Sequence, residues 1–193
     1  MAVEQAKHGN FSISQYLALE ADADFKHEYE QGKVLAMTGG PINHGILCGN
    51  IYNELRQGLS GNKGDCKAFG SEIRIHIEKA EAIVYPDAMV VCSDLLISSS
   101  DPEAVTNPAL VAEVLSASTE SYDRGNKFFK YRQLDSLREY LLIAQDLPMV
   151  ETFYRKADNV WEITRFSGLE ATLSLKSIGL EIPLQSLYVN VRL

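Results

Sequence analysis

Two carboxylates and an amine between Tyr85 and Lys127 carry the first chemical signal in this sequence. Asp87 follows Pro86 and opens the apolar run Ala88–Cys92. The proline fixes the backbone, and the run after it would anchor the carboxylate at the end of a sheet. Alone, a Pro-Asp pair also reads as an ordinary turn. Glu113 lies among Val111, Ala112, Val114 and Leu115, where an ionised carboxylate is unfavourable unless paired, hydrogen-bonded or bound to a metal. The competing reading is an edge strand whose glutamate faces water. Lys127 stands one helical turn after Asp123, so the two side chains share a helix face. In isolation such a pair is a solvated ion pair worth about 0.3–0.5 kcal/mol. Together the groups describe a different chemistry. Two carboxylates hold a hard cation such as Mg²⁺ or Mn²⁺ and leave coordination positions for phosphate oxygens. The cation lowers the pKa of a bound water, and a lysine ammonium adds charge near the attacking water or the transition state. The combination suits hydrolysis of a phosphodiester.

The elements that must position these groups follow from periodicity. Residues 11–21 read as a short amphipathic helix with Ser12 or Ser14 as its cap. A hairpin follows, with strands at 28–30 and 33–37 around a turn at Gln31-Gly32. Asn43 is placed to cap a helix over 44–59, whose Leu47, Ile51, Leu55 and Leu59 recur at helical spacing. The glycine-rich stretch at 58–65 reads as a surface loop. Ile73, Ile75 and Ile77 alternate with Arg74, His76 and Glu78, the pattern of a half-buried antiparallel strand, and His27, Glu72 and His76 read as surface or structural residues. The segment 93–108 is serine-rich with two prolines, a loop and a candidate lid. The run around Glu113 is apolar on both faces, as in a central covered strand, and a helix is expected over 122–134. Hairpins and short strands fill the remainder up to a final helical turn near 184–188. The order predicts an α/β or mixed α+β fold: a mixed central sheet flanked by helices, with additional N-terminal and C-terminal hairpins.

At 193 residues the chain fits one domain over residues 1–193. Its apolar runs are short and interrupted by charge, which excludes a spanning helix. The polar first residues lack the apolar centre of a signal peptide and point to the cytoplasm. Cys48, Cys66 and Cys92 fit neither a disulfide framework nor a zinc knuckle and read as reduced, mostly buried thiols. A net charge of −8 excludes coating of nucleic acid by bulk electrostatics, so a nucleic-acid enzyme needs a local basic patch. Arg124, Lys127, Lys130 and Arg132 in one short element supply the candidate.

The segments YPDAMVV, LVAEVLSAST, DRGNKFFKY and LREYLLIAQD, in that order, resemble the Uma-type family of restriction endonuclease-like proteins within the PD-(D/E)xK nuclease superfamily. The stretch HEYEQGKVLAMTGGPINHGILCGNIYNEL is similar to that family's opening, so the resemblance covers nearly the whole chain. It implies a divalent-metal site and nuclease chemistry, with Asp87 and Glu113 as metal ligands. The superfamily pattern has lysine two positions after the glutamate; here that residue is Leu115, and Lys127 matches the lysine of the family's own later segment. Glu28 and His44 match polar positions of the opening and join Asp123 as auxiliary candidates. Their competing readings are a surface strand glutamate and a first-turn helix histidine. Three functions stay open: a Mg²⁺-dependent DNA endonuclease, acting as a homodimer for double-strand cleavage; a non-catalytic nuclease-fold module binding nucleic acid or protein; and a hydrolase of another phosphoester.

Overall fold

The computed structural model describes residues 3–7 by their backbone, and 9–37, 39–60 and 65–193 in full. In chain order the elements are β1 (Val3–Lys7), α1 (Ile13–Ala21), β2 (His27–Glu30), β3 (Lys33–Met37), α2 (Ile42–Leu59), β4 (Cys66–Gly70), β5 (Arg74–Ile77), β6 (Ala82–Val84), β7 (Ala88–Cys92), β8 (Ala104–Val105) and β9 (Leu110–Leu115). Then come α3 (Glu120–Tyr122), a π-helical turn (Asp123–Lys127), α4 (Phe128–Tyr131), β10 (Glu139–Ala144), β11 (Met149–Ala157), β12 (Val160–Ser167), β13 (Thr172–Leu175), β14 (Leu180–Pro183) and α5 (Leu184–Leu187). Of the glycine-rich loop, residues 61–64 lie outside the described residues.

The central sheet runs β12-β11-β10-β9-β7-β4 and is mixed, because β9 and β10 pair in parallel while their outer neighbours are antiparallel. A second sheet, β1-β3-β2-β6-β5-β8, packs on one of its faces. Successive side chains of a strand point to opposite faces, and the two cores follow that rule. Val90, Leu110, Ala112, Val114 and Leu141 meet Leu47, Ile51 and Leu55 of α2 and the β13–β14 hairpin. Met89, Val91, Val111, Leu115 and Tyr140 meet Ile75, Ile77 and Val84 of the second sheet and Tyr131 of α4. Glu113 therefore belongs to a central strand buried on both faces, and the edge-strand alternative falls. The expected mixed sheet with flanking helices and terminal hairpins is what forms.

Local chemistry explains several boundaries. Ser12 caps α1 in a capping box with Gln15. Gln31 and Gly32 both have positive φ, which gives the β2–β3 turn the twist a two-residue hairpin needs. Gly58 lets α2 approach β14, since a Cβ there would meet Leu180 at 2.4 Å. Among the described residues, no helix is long and apolar enough to cross a membrane.

Several expectations are corrected. Asn43 does not cap α2, which starts after Pro41; its amide donates to the carbonyls of Gln145 and Arg192 and ties the helix to the end of the chain. The strand at Arg74–Ile77 is wholly buried, because Arg74 pairs with Asp101 and His76 bonds Ser98. Those contacts also pin the 93–108 segment, whose Ala104–Val105 joins the second sheet, so it is not a lid. Cys66 and Cys92 are register partners in the β4–β7 pair and form a disulfide; Cys48 is the free thiol. The pairing arises from strand register across 26 residues, which spacing alone does not reveal. The helix expected over 122–134 begins earlier and contains the π turn.

Candidate active site

Glu28, Met37, Asp87, Glu113, Val114, Thr119, Tyr122, Asp123 and Lys127 line one cavity of about 20 Å³. That is room for an occupant the size of a water molecule. Each side chain arrives by a different element. Glu28 comes from β2, Asp87 from the residue before β7, and Glu113 from the face of β9 that turns toward the second sheet. Lys127 comes from the π turn, which adds a residue to the helical repeat and so changes the angle at which the side chain leaves the helix.

Lys127 is 4 % exposed, and its ammonium lies 2.9 Å from Glu113 Oε1 and 3.3 Å from Glu28 Oε1. It also donates to the carbonyl of Tyr85 at 3.1 Å, while the Tyr85 N–H donates to Glu28 Oε1 at 3.1 Å. Glu113 accepts a second bond, from the Tyr131 hydroxyl at 2.8 Å. Glu28 accepts one from the Tyr122 hydroxyl at 3.2 Å. Asp87 is fixed by the Val114 N–H at 2.7 Å, across the two strands that carry the acids. His44 is buried, and its Nε2 stands 3.4 Å from Asp87 Oδ2, an ion-pair distance, with no hydrogen-bond partner among the described residues.

The electrostatics follow from this crowding. Burial pushes Glu113 well above the ordinary carboxylate value; Lys127 opposes that, and Asp87 and Asp123 reinforce it. Burial likewise raises Asp123. Burial works against the charge of Lys127, yet Glu113 and Glu28 hold its ammonium well above the usual lysine value. Burial also acts to raise Asp87, but the His44 ring, the Lys127 ammonium and the Val114 N–H outweigh it and hold the carboxyl low. Among the described residues, four carboxylates thus face one ammonium. A divalent cation fits this surplus, and the unpartnered His44 nitrogen beside Asp87 offers a further donor.

The structure brings Asp87, Glu113, Lys127, Glu28 and Asp123 to one cavity, with His44 against Asp87. Neither the surface reading of Glu28 nor the solvated ion pair at Lys127 survives, since both residues are buried in mutual contact. Asp123, placed on the lysine's helix face by spacing, lines the cavity while the ion pairs of Lys127 run to Glu113 and Glu28. The expected basic patch is reduced to Arg132, which is exposed. Lys130 is buried against Glu30, and Arg124 is held by Glu120 and Glu151, so their charges are neutralised internally. Tyr85, Tyr122, Tyr131 and Cys48 escaped the sequence reading as site residues. Of these, Tyr131 carried a signal, one helical turn beyond Lys127.

Comparisons with known proteins give the family and the fold. The family model Uma2, "Putative restriction endonuclease", matches residues 13–185. The Synechocystis sp. protein slr1290 is 34% identical over 177 residues, covering 92% of this chain and 90% of the relative. A second protein of that organism, sll1609, is 34% identical over 162 residues, covering 84% and 90%. The "crystal structure of a putative nuclease belonging to DUF820 from Anabaena variabilis" superposes with a TM-score of 0.74 at 15% identity, covering 92% of this chain and 97% of that one. At that identity the match shows the fold.

Proposed function

Because this chain belongs to the Uma2 restriction endonuclease family, we propose that it is an endonuclease that hydrolyses DNA phosphodiester bonds with a divalent cation, Mg²⁺ or Mn²⁺. Asp87 and Glu113 are the proposed metal ligands and Lys127 the charge stabiliser. The observation that supports this most is the Lys127 ammonium, 2.9 Å from Glu113 in a cavity that carries a surplus of carboxylates.

Asp87 and Glu113 would hold the cation, which would supply polarisation of a phosphoryl oxygen and a lowered pKa for a bound water. The chain's own groups do the rest. Lys127, fixed by Glu28 and the Tyr85 carbonyl, keeps a positive charge where negative charge develops and needs no reorganisation to do so. It takes the place that the superfamily pattern gives to the residue at 115. Leu115 shares the face of Glu113 but packs in the apolar core. The cavity admits only a water-sized occupant, so the scissile phosphate sits at its mouth.

Supercoiled plasmid incubated with Mg²⁺ or Mn²⁺ tests the reading. Nicked or linear product, lost with a chelator and in Asp87→Asn and Glu113→Gln, is expected. Cleavage that survives both substitutions would sink it. Linear product without accumulation of the nicked form would mark two copies acting together as a homodimer. Leu115 favours one second reading, a non-catalytic module that binds nucleic acid or protein through the same fold. Intact plasmid together with cation binding would select it.

A further inference from the structure

The first turns of α2 place His44 and Cys48 one turn apart on the helix face that meets Asp87. Each of the three residues offers one donor atom, and these lie within 4.8 Å of one another. The His44 ring is buried, with Nδ1 3.4 Å from Cys48 Sγ and Nε2 3.4 Å from Asp87 Oδ2. Nε2 makes no hydrogen bond among the described residues. A buried ring nitrogen left unpartnered beside a carboxylate is unfavourable in a finished core. An ion takes one of the two ring nitrogens, and one donor atom from each of the three residues lies within 4.8 Å of the others. The ring is held in place by what is missing opposite it: a Cβ at Gly40 would meet His44 at 2.9 Å.

We propose that His44 and Cys48 are metal ligands that share Asp87 with the acidic site, and that this donor set selects a borderline transition ion such as Zn²⁺ or Co²⁺ over Mg²⁺. The inference rests on the metal-site reading above and changes the identity of the ion. Imidazole and thiolate suit such ions, while Mg²⁺ takes oxygen ligands and keeps its waters. Cys48 is the free thiol of the chain, the other two cysteines being bonded to each other. Binding releases the Cys48 proton to solvent as the thiolate ligates the ion.

Cobalt is the probe, because its spectrum reports the ligands whether or not the protein cleaves anything. The full-length chain is titrated with Co²⁺, Zn²⁺ and Mg²⁺ by calorimetry, and the Co²⁺ complex is followed by absorption. The proposal expects one Co²⁺ with a thiolate-to-metal charge-transfer band and affinity at least about 100-fold above that for Mg²⁺. Cys48→Ser should lose the band, and His44→Ala should weaken Co²⁺ binding by at least about tenfold. His44→Asn and a circular-dichroism melt of each variant separate ligand loss from unfolding. A Co²⁺ spectrum without the band, or equal affinity in folded wild-type and His44→Ala protein, overturns the proposal. Intact plasmid in every ion, with the band present, would remove the endonuclease reading and leave this one standing.

Discussion

Two buried ionic networks meet at Tyr85, and they are built to opposite specifications. In one, Arg74 grips Asp101 with two parallel bonds of 2.7 and 2.9 Å, reaches Glu103, and donates to the Tyr85 hydroxyl. That hydroxyl donates to Glu20, which also pairs with His27. Donors and acceptors match, and among the described residues the network leaves no orphaned atom. In the other, among the described residues, four carboxylates surround Lys127 and the nearby His44 nitrogen has no hydrogen-bond partner. Both networks contain a buried cation, so burial of charge does not by itself mark a site. What separates them is stoichiometry. A closed network holds a shape, whereas surplus acid and a spare donor among the described residues are what the proposed cation would complete.

The contrast can be broken by substitution. Asp87→Asn should abolish plasmid cleavage and lower the thermal midpoint modestly, because the His44 ring, the Lys127 ammonium and the Val114 N–H hold the Asp87 carboxylate ionised and so stabilising. A large fall in midpoint would make Asp87 structural. Lys127→Met should lower turnover per folded molecule by about 10²–10³-fold, the scale for losing a placed charge stabiliser, and should also destabilise the fold by stranding Glu113 and Glu28. Arg74→Met should differ in sparing the chemistry. It should cost about 3–5 kcal/mol in urea unfolding by stranding Asp101, with cleavage per folded molecule retained. Tyr131→Phe removes one hydrogen bond to Glu113 and should cost about 1–2 kcal/mol in the same assay. The smallest effect is a pH dependence in the closed network. Burial holds His76 below its ordinary value, so the unfolded chain takes up a proton as pH falls through about 6.5 while the native state resists. Stability should therefore fall over that window and level off below the folded pKa. His76→Gln should flatten the slope in unfolding measured across pH 7 to 5.

The sequence reveals these two networks unequally. Glu113 announces itself because an acid inside LVAEVL breaks the apolar run, and strand parity then fixes the face it occupies. Asp87 and Lys127 become legible only beside it. Glu28 is harder, since HEYE reads equally as an exposed strand; its burial comes from a second sheet laid over the first, a tertiary fact. Arg74 and His76 mislead for the same reason. They alternate with isoleucine as solvent-facing residues do, and only Asp101 and Ser98, brought back by the 93–108 segment, make their burial tolerable. The overcounted basic patch has the same origin, because cations counted along one element say nothing about the carboxylates that neutralise them from others. Cys48 was legible as a reduced thiol one helical turn from His44, but nothing in the sequence turned that pair toward Asp87.

Tyr85 has one further consequence. Its N–H, the Glu28 carboxylate, the Lys127 ammonium and its own carbonyl close a ring of three contacts. The tyrosine enters that ring through main-chain atoms alone. Every residue except proline would supply the same donor and acceptor there, so the ring is robust to side-chain substitution at the position that anchors it. A mutational scan of residue 85 would report on the phenol and its ties to Arg74 and Glu20, and would be blind to the peptide that seats the lysine.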